Sequence, residues 1–261
     1  MSGLNKRILT ALILIPSALW WLLYMSSPWF EWVLLAIAMI AVVELLRLIH
    51  IPNQAAFSLT ALAALVILVP AGQPLIALVF LSLLWLLLAG IGIPENGLAE
   101  RFRKLTAAQW MFIWLFLCVW VISEVHENPD GRFFIVVACV GIWAADIGAF
   151  AVGSSIGKHK LCPHISPGKT VEGMLAAFVI AIPLAITLWM WLLPMSFLEA
   201  ILLATVLVAT GIIGDLAESA LKRSLGVKDS GSILPGHGGI LDRIDAMIVA
   251  LPVTGLLWMV I

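Results

Sequence analysis

Charge is what this sequence has least of. Asp, Glu, Lys and Arg make up 11% of its 261 residues and hydrophobic types 63%, where a soluble domain carries about 25% charged residues. That scarcity excludes water as the main solvent. The net charge of −1 leaves no field for capturing nucleic acid. Cysteine is limited to Cys118, Cys139 and Cys162. None sits in a CxxC pair and two lie inside apolar runs, so neither a disulfide framework nor a zinc site is expected. One Tyr stands against 12 Trp, a bias that suits rings packed on lipid and on one another. The sequence shows no repeat, low-complexity tract or soluble domain.

Apolar runs take up most of the chain. A bilayer core about 30 Å thick is crossed by a helix of about 20 mainly apolar residues, because backbone groups in lipid must bond within their own segment. The runs predict an all-α polytopic membrane protein with about nine transmembrane helices, at 8–24, 29–49, 55–70, 74–91, 107–123, 132–152, 172–193, 196–214 and 239–261. The first run follows Lys6 and Arg7, exceeds the about 7–15 residues of a signal peptide and lacks a clear cleavage site, so it reads as an uncleaved span. The third and fourth, joined around Pro70 and Pro74, read either as a tilted pair or as a re-entrant hairpin. Residues 1–131 form an N-terminal set of helices. Residues 132–261 form a second region whose sizeable loops are 153–171 and 215–238.

Orientation follows from the basic residues. With the N-terminus cytoplasmic, every Lys and Arg of the 14 except Arg132 and Arg243 falls in a cytoplasmic segment. The positive-inside rule then selects a cytoplasmic N-terminus and an external C-terminus.

Ionisable groups inside a span are costly and become candidates for function. Glu44 and Arg47, three apart on one helix face, read as a local ion pair, while Glu31 and Glu199 lie near outer span ends within reach of water. Asp146 is different. It sits about 10 Å deep at about 1.5 Å per residue, with no cation one turn away and with Gly148 and Gly153 on its helix to admit a close neighbour. Asp215 and Glu218 end the eighth span, and Asp242 and Asp245 open the ninth with the same spacing, so four carboxylates share one membrane level. A cytoplasm-facing site for a hard cation such as Mg²⁺ explains them. On charge counting alone, a salt-bridge cluster with Lys222, Arg223, Lys228 and Arg243 explains them equally well.

The connecting loop tilts that balance. Pro235, Gly236, His237, Gly238 and Gly239 lead straight into the helix of Asp242, which aims backbone N–H groups and a helix N-terminus at the carboxylate level, a turn suited to phosphate. Loop 153–171 adds Lys158, Lys160, Ser166, Lys169 and Thr170. Its GKT triplet is not a P-loop, because Pro163 stands where the motif needs Gly and no strand is expected before it. Lys169 and Thr170 remain phosphate candidates at a helix N-terminus, beside the plainer reading of a surface loop with snorkelling lysines.

The run from Ser219 to Asp245, SALKRSLGVKDSGSILPGHGGILDRID, resembles the signature of the phosphatidate cytidylyltransferase family, the CDP-diacylglycerol synthases. Ser219, Lys222, Arg223, Lys228, Asp229, Pro235, Gly236, His237, Gly238, Gly239, Asp242, Arg243 and Asp245 fill its fixed positions. The likeness extends through SPGKTVEG, Ser166 to Gly173, and the span of Asp146, so it covers roughly the C-terminal half. It implies transfer of a cytidylyl group from CTP to phosphatidic acid, with Mg²⁺ required, by a multi-span homodimer whose active site faces the cytoplasm. It further implies that Asp215 and Asp242 are metal ligands, with Asp245 and Glu218 close by and a second cation as an open alternative.

In that scheme Lys222, Arg223 and Lys228 compensate the leaving pyrophosphate, and the turn from Gly236 to Gly239 donates N–H groups to it. Ser166, Lys169 and Thr170 bind the lipid phosphate or the nucleotide, and the lipid tails stay in the bilayer. His237 either donates to phosphate or plays a purely structural part. The compact chain fits a bacterial inner membrane. The rival of another class is a membrane transporter with Asp146 as its intramembrane acidic site.

Overall fold

The computed structural model describes residues 15–49, 98–231 and 238–261, together with Val79, Leu83 and Ile233. The expected third and fourth spans, and with them their tilted-pair or hairpin geometry, lie outside the described residues, as do Pro235, Gly236 and His237. The described helices are α1 (Ile15–Tyr24), α2 (Ser27–Ile49), α3 (Leu98–Glu127), α4 (Gly131–Ile156), α5 (Val171–Leu192), α6 (Phe197–Ser224) and α7 (Leu241–Val260). All except the short α1 are long and apolar enough to cross a membrane, which gives six spans among the described residues. The chain is accordingly an integral membrane protein built of helices.

Two local features depart from the expected loops. Between α4 and α5 the chain forms a small antiparallel hairpin, β1 (Lys160–Cys162) and β2 (Ser166–Thr170), with Lys160 opposite Thr170 and Cys162 opposite Ser166. The GKT triplet therefore lies in a strand that runs directly into a helix. A three-residue strand beside Pro163 and Pro167 has no alternation long enough to read. At the other loop, Asp215–Ser224 continues α6 for more than two turns beyond the apolar run, because the segment keeps good helix formers and ends in Lys222 and Arg223, favourable at a helix C-terminus. Gly226, at φ 75°, stops it. There Gly226 N–H donates to Arg223 O and Val227 N–H to Lys222 O, the paired bonds of a Schellman turn.

Packing follows small residues and aromatic rings. Helix α4 lies closely along α5, α5 along α6, α6 along α7, and α3 crosses α7. Gly148 admits that approach, since a Cβ there would come within 2.7 Å of Ile180 Cδ1, and one at Gly173 within 2.6 Å of Ala149 O. In lipid, where burial of apolar surface drives helices together only weakly, such contacts and interhelical hydrogen bonds carry association. On the expected outer side, Trp189 is fully buried, stacks on Phe134 at 5.1 Å and donates Nε1–H to Phe134 O at 3.3 Å, while Trp258 stacks on the other side at 4.5 Å. Trp21, Phe30 and His126 form a second stack that joins α1, α2 and α3. Trp20, Trp29, Trp32 and Trp191 point outward. Glu199 completes a capping box with Ser196 at the start of α6, which accounts for its charge near a span end.

Gly173→Ala should lower the stability of the detergent-solubilised protein by about 1–3 kcal/mol, read as a drop in Tm. Gly168→Ala, with open space around the added methyl group, should leave Tm unchanged.

Candidate active site

The antiparallel crossing of α6 and α7 puts the last turns of one beside the first turn of the other. Gly214 makes this possible, because a Cβ there would lie 2.8 Å from Asp245 O. Asp215 and Glu218 thereby meet Asp242 and Asp245, as their spacing predicts. Glu218 stands in electrostatic range of both Asp215 and Asp242, and Asp245 in range of Asp215, Glu218 and Asp146. Four carboxylates from two helices, with Asp146 of α4 beside them, form one acidic centre.

Two lysines enter that centre. Lys222 Nζ lies 2.6 Å from Glu218 Oε2 and 2.7 Å from Asp242 Oδ1, with Glu218 fully buried and only 11% of the Lys222 side chain exposed. Its ammonium is turned inward as a bridge rather than outward. Lys169, carried in by β2, pairs with Asp215 Oδ2 at 2.5 Å. Ser219 Oγ–H lies 3.4 Å from the other oxygen of Asp215. Arg223 spans the end of α6, donating Nε–H to Ile165 O in the hairpin and Nη1–H to Val227 O. Lys228, Asp229 and Arg243 are exposed, and Arg243 is in electrostatic range of Asp146.

Backbone donors at the start of α7 are already engaged. Gly239 N–H donates to Asp242 Oδ2 at 2.9 Å, and Ser230 N–H to both Asp242 oxygens at 3.0 and 2.9 Å. The N–H groups of Ile240 and Leu241 donate to Glu44 of α2. The N–H groups expected to face phosphate are thus turned onto carboxylates of the protein itself, from Gly239 to Leu241. Gly238, at φ 80°, makes the turn. Thr170 is likewise occupied: buried, it caps α5 by accepting Gly173 N–H at 3.2 Å.

Beside the acidic centre, between α4, α5, α6 and the hairpin, lies a cavity of about 440 Å³. Its polar lining is Asp146, Ser154, Ser166, Lys169, Thr170 and Asp215, and its apolar lining includes Ile142, Ala177, Leu207 and Ile212. Asp146 is exposed and lines this space. Sequence reasoning singled out Asp146, Ser166, Lys169 and Asp215 separately, without placing them on one cavity. It missed the cavity's apolar wall, whose residues look like any other lipid-facing stretch.

The donors suit a hard divalent cation in their chemistry: all are carboxylates, and the buried Glu218 keeps one oxygen, Oε1, without a hydrogen-bond partner. Among the described residues no three of them are drawn into a coordination cluster. The Lys222 ammonium supplies positive charge between Glu218 and Asp242.

Fold and site together define a polytopic membrane protein with an acid–lysine centre beside an amphipathic cavity. The sequence profile of the cytidylyltransferase family matches residues 5–261, and the chain belongs to that family. It is 36% identical to the phosphatidate cytidylyltransferase of Pseudomonas aeruginosa over 267 aligned positions, covering 98% of this chain and 97% of that one. With the enzyme of the same name from Staphylococcus epidermidis it shares 35% over 237 positions, 85% and 86% of the two chains. With that of Bacillus subtilis it shares 47% over 143 positions, about half of each, 54% and 53%. The family relationship therefore includes the N-terminal helices, beyond the half in which the signature is legible.

Lys222→Met should cost about 3–5 kcal/mol of stability, the penalty for leaving buried carboxylates without their cation, measured by unfolding in mixed micelles. Adding Glu218→Gln to the same chain should recover a substantial part of that loss.

Proposed function

We propose that this chain is a phosphatidate cytidylyltransferase, which joins CTP and phosphatidic acid into CDP-diacylglycerol and pyrophosphate. The observation that carries the reading is the cavity that sets Lys169, Ser166 and Asp215 against an apolar wall, in a chain whose relatives over nearly full length bear that name. An anionic headgroup on acyl chains has the same two-part chemistry. CTP supplies the cytidylyl group from the aqueous side, and the lipid enters sideways from the bilayer.

The reaction is an in-line displacement. A phosphate oxygen of phosphatidic acid forms a bond to the α-phosphorus of CTP as the bond from that phosphorus to the bridging oxygen of pyrophosphate breaks. Phosphomonoesters have a second pKa of about 6, so near neutral pH the attacking group is already largely dianionic and no general base is required. The work left to the protein is positioning and charge neutralisation. Lys169, paired with Asp215, carries its ammonium at the cavity where it can pass to a phosphate oxygen. Ser166 lines the same space, and the exposed Lys228 and Arg243 meet the nucleotide's phosphates from the aqueous side. Lys222 holds the carboxylate-bearing ends of α6 and α7 together, and Arg223 ties the end of α6 to the hairpin. When bound by Asp215 and Asp242, with Glu218 and Asp245 adjacent, Mg²⁺ would neutralise phosphate charge as it redistributes. The same reading places the site at the cytoplasmic face of a bacterial plasma membrane, with the N-terminus inside, in a homodimer.

Purified protein given CTP, Mg²⁺ and phosphatidic acid should yield CDP-diacylglycerol, and omission of either substrate or of the ion should abolish it. Asp215→Asn should cut turnover by at least about a hundredfold, the scale of losing an electrostatic partner of the transition state. Labelled substrate crossing proteoliposomes unconverted, with no nucleotide product, would instead establish transport.

A further inference from the structure

Glu44 belongs to α2, far in sequence from the signature, and is 2% exposed. A buried carboxylate is costly unless donors replace its water. Three donors do so here: Ile240 N–H at 3.0 Å to Oε1, Leu241 N–H at 2.9 Å to Oε2, and Ser230 Oγ–H at 3.3 Å to Oε2. The first two are N–H groups at the start of α7 that have no partner within the helix, so Glu44 acts as that helix's cap from another element, with charge of the favourable sign.

Ser230 links this anchor to the acidic centre. Its hydroxyl donates to Glu44 while its backbone N–H donates to Asp242. Asp242 in turn directly follows Leu241, whose N–H Glu44 holds. Space around the carboxylate is closed on both sides by glycine: a Cβ at Gly239 would fall 2.5 Å from Glu44 Oε2, and one at Gly231 2.7 Å from Oε1. The glycines next to the centre are therefore where the Glu44 side chain enters.

We propose that Glu44 is a positioning residue, which fixes Asp242 by clamping Ser230 and the first N–H groups of α7 to α2. Its catalytic consequence rests on the function proposed above; the clamp itself does not. Glu44 does not line the cavity, and its hydrogen bonds among the described residues go to Ser230, Ile240 and Leu241. Its loss should therefore act on the orientation of Asp242 rather than on nucleotide binding.

The test is Glu44→Gln in the full chain in nanodiscs, read by hydrogen exchange and by steady-state kinetics. Glutamine keeps the shape but has one acceptor oxygen, and its NH₂ group faces a donor. Amide exchange at Gly239 to Asp242 should rise about tenfold or more, and kcat should fall about ten- to a hundredfold, the range for hydrogen bonds to a charged acceptor. KM for CTP should stay within about threefold. Ser230→Ala, which removes one hydroxyl and no backbone contact, should move both readouts the same way by a smaller factor of about two to five, and it decides the matter should Glu44→Gln not fold. Unchanged exchange overturns the clamp. Raised exchange with unchanged kcat, or a loss confined to KM, overturns the positioning role. A wild-type protein that makes no CDP-diacylglycerol defeats the proposed function, while the exchange measurement still decides the clamp.

Discussion

Burial of Lys222 between Glu218 and Asp242 is the interaction around which this end of the molecule is arranged. Charges at the margin of a bilayer persist only where partners compensate their lost hydration. One ammonium serving a carboxylate from each of two helices ties α6 to α7 at the level where both leave the apolar layer. The Schellman turn at Gly226 then sends the chain back over this pair, so that Ser230 can reach Asp242. Removing any one of these elements leaves a buried charge or a backbone donor without its partner.

The cavity depends on the same crossing from its other side. Asp215 is one turn before Ser219 on α6, and Lys169 reaches it from β2, so the hairpin is pinned to the helix pair by an ion pair and by the Arg223 contact with Ile165. Close packing of α4 on α5 through Gly148, Gly153 and Gly173 holds Asp146 and Thr170 in the same neighbourhood. An opening walled by apolar helix faces and floored by lysine and carboxylate groups suits an amphipathic anion. The family relationship and this shape support one functional reading by separate routes.

The positive charges of Lys169 and Lys222 are spoken for. Both lysines that face the carboxylates are paired with them, and the N–H groups that open α7 are satisfied by Asp242 and Glu44. Under the proposed function, binding of phosphate groups and a cation would exchange partners within this existing network, rather than fill a set of vacant donors. Such an exchange keeps buried groups compensated throughout, which is the condition for holding several charges at a lipid boundary.

What could be read from the sequence was set by composition and local spacing. Lipid demands long apolar runs, so the second, fifth, sixth, seventh, eighth and ninth expected spans correspond to helices within a few residues, apart from the polar extensions of α3 and α6. The Asp215–Glu218 and Asp242–Asp245 spacings placed four carboxylates at one level because adjacent antiparallel helices return to the same depth. Spacing could not say which neighbour satisfies which group. Glu44 looked like the partner of Arg47 three residues away, yet its carboxylate takes N–H groups about 196 residues later in the chain. The inward turn of Lys222, the hairpin and the apolar wall of the cavity were likewise decided by tertiary structure. Compensation of a buried charge is a matter of distance in space, and only the packed helices set those distances.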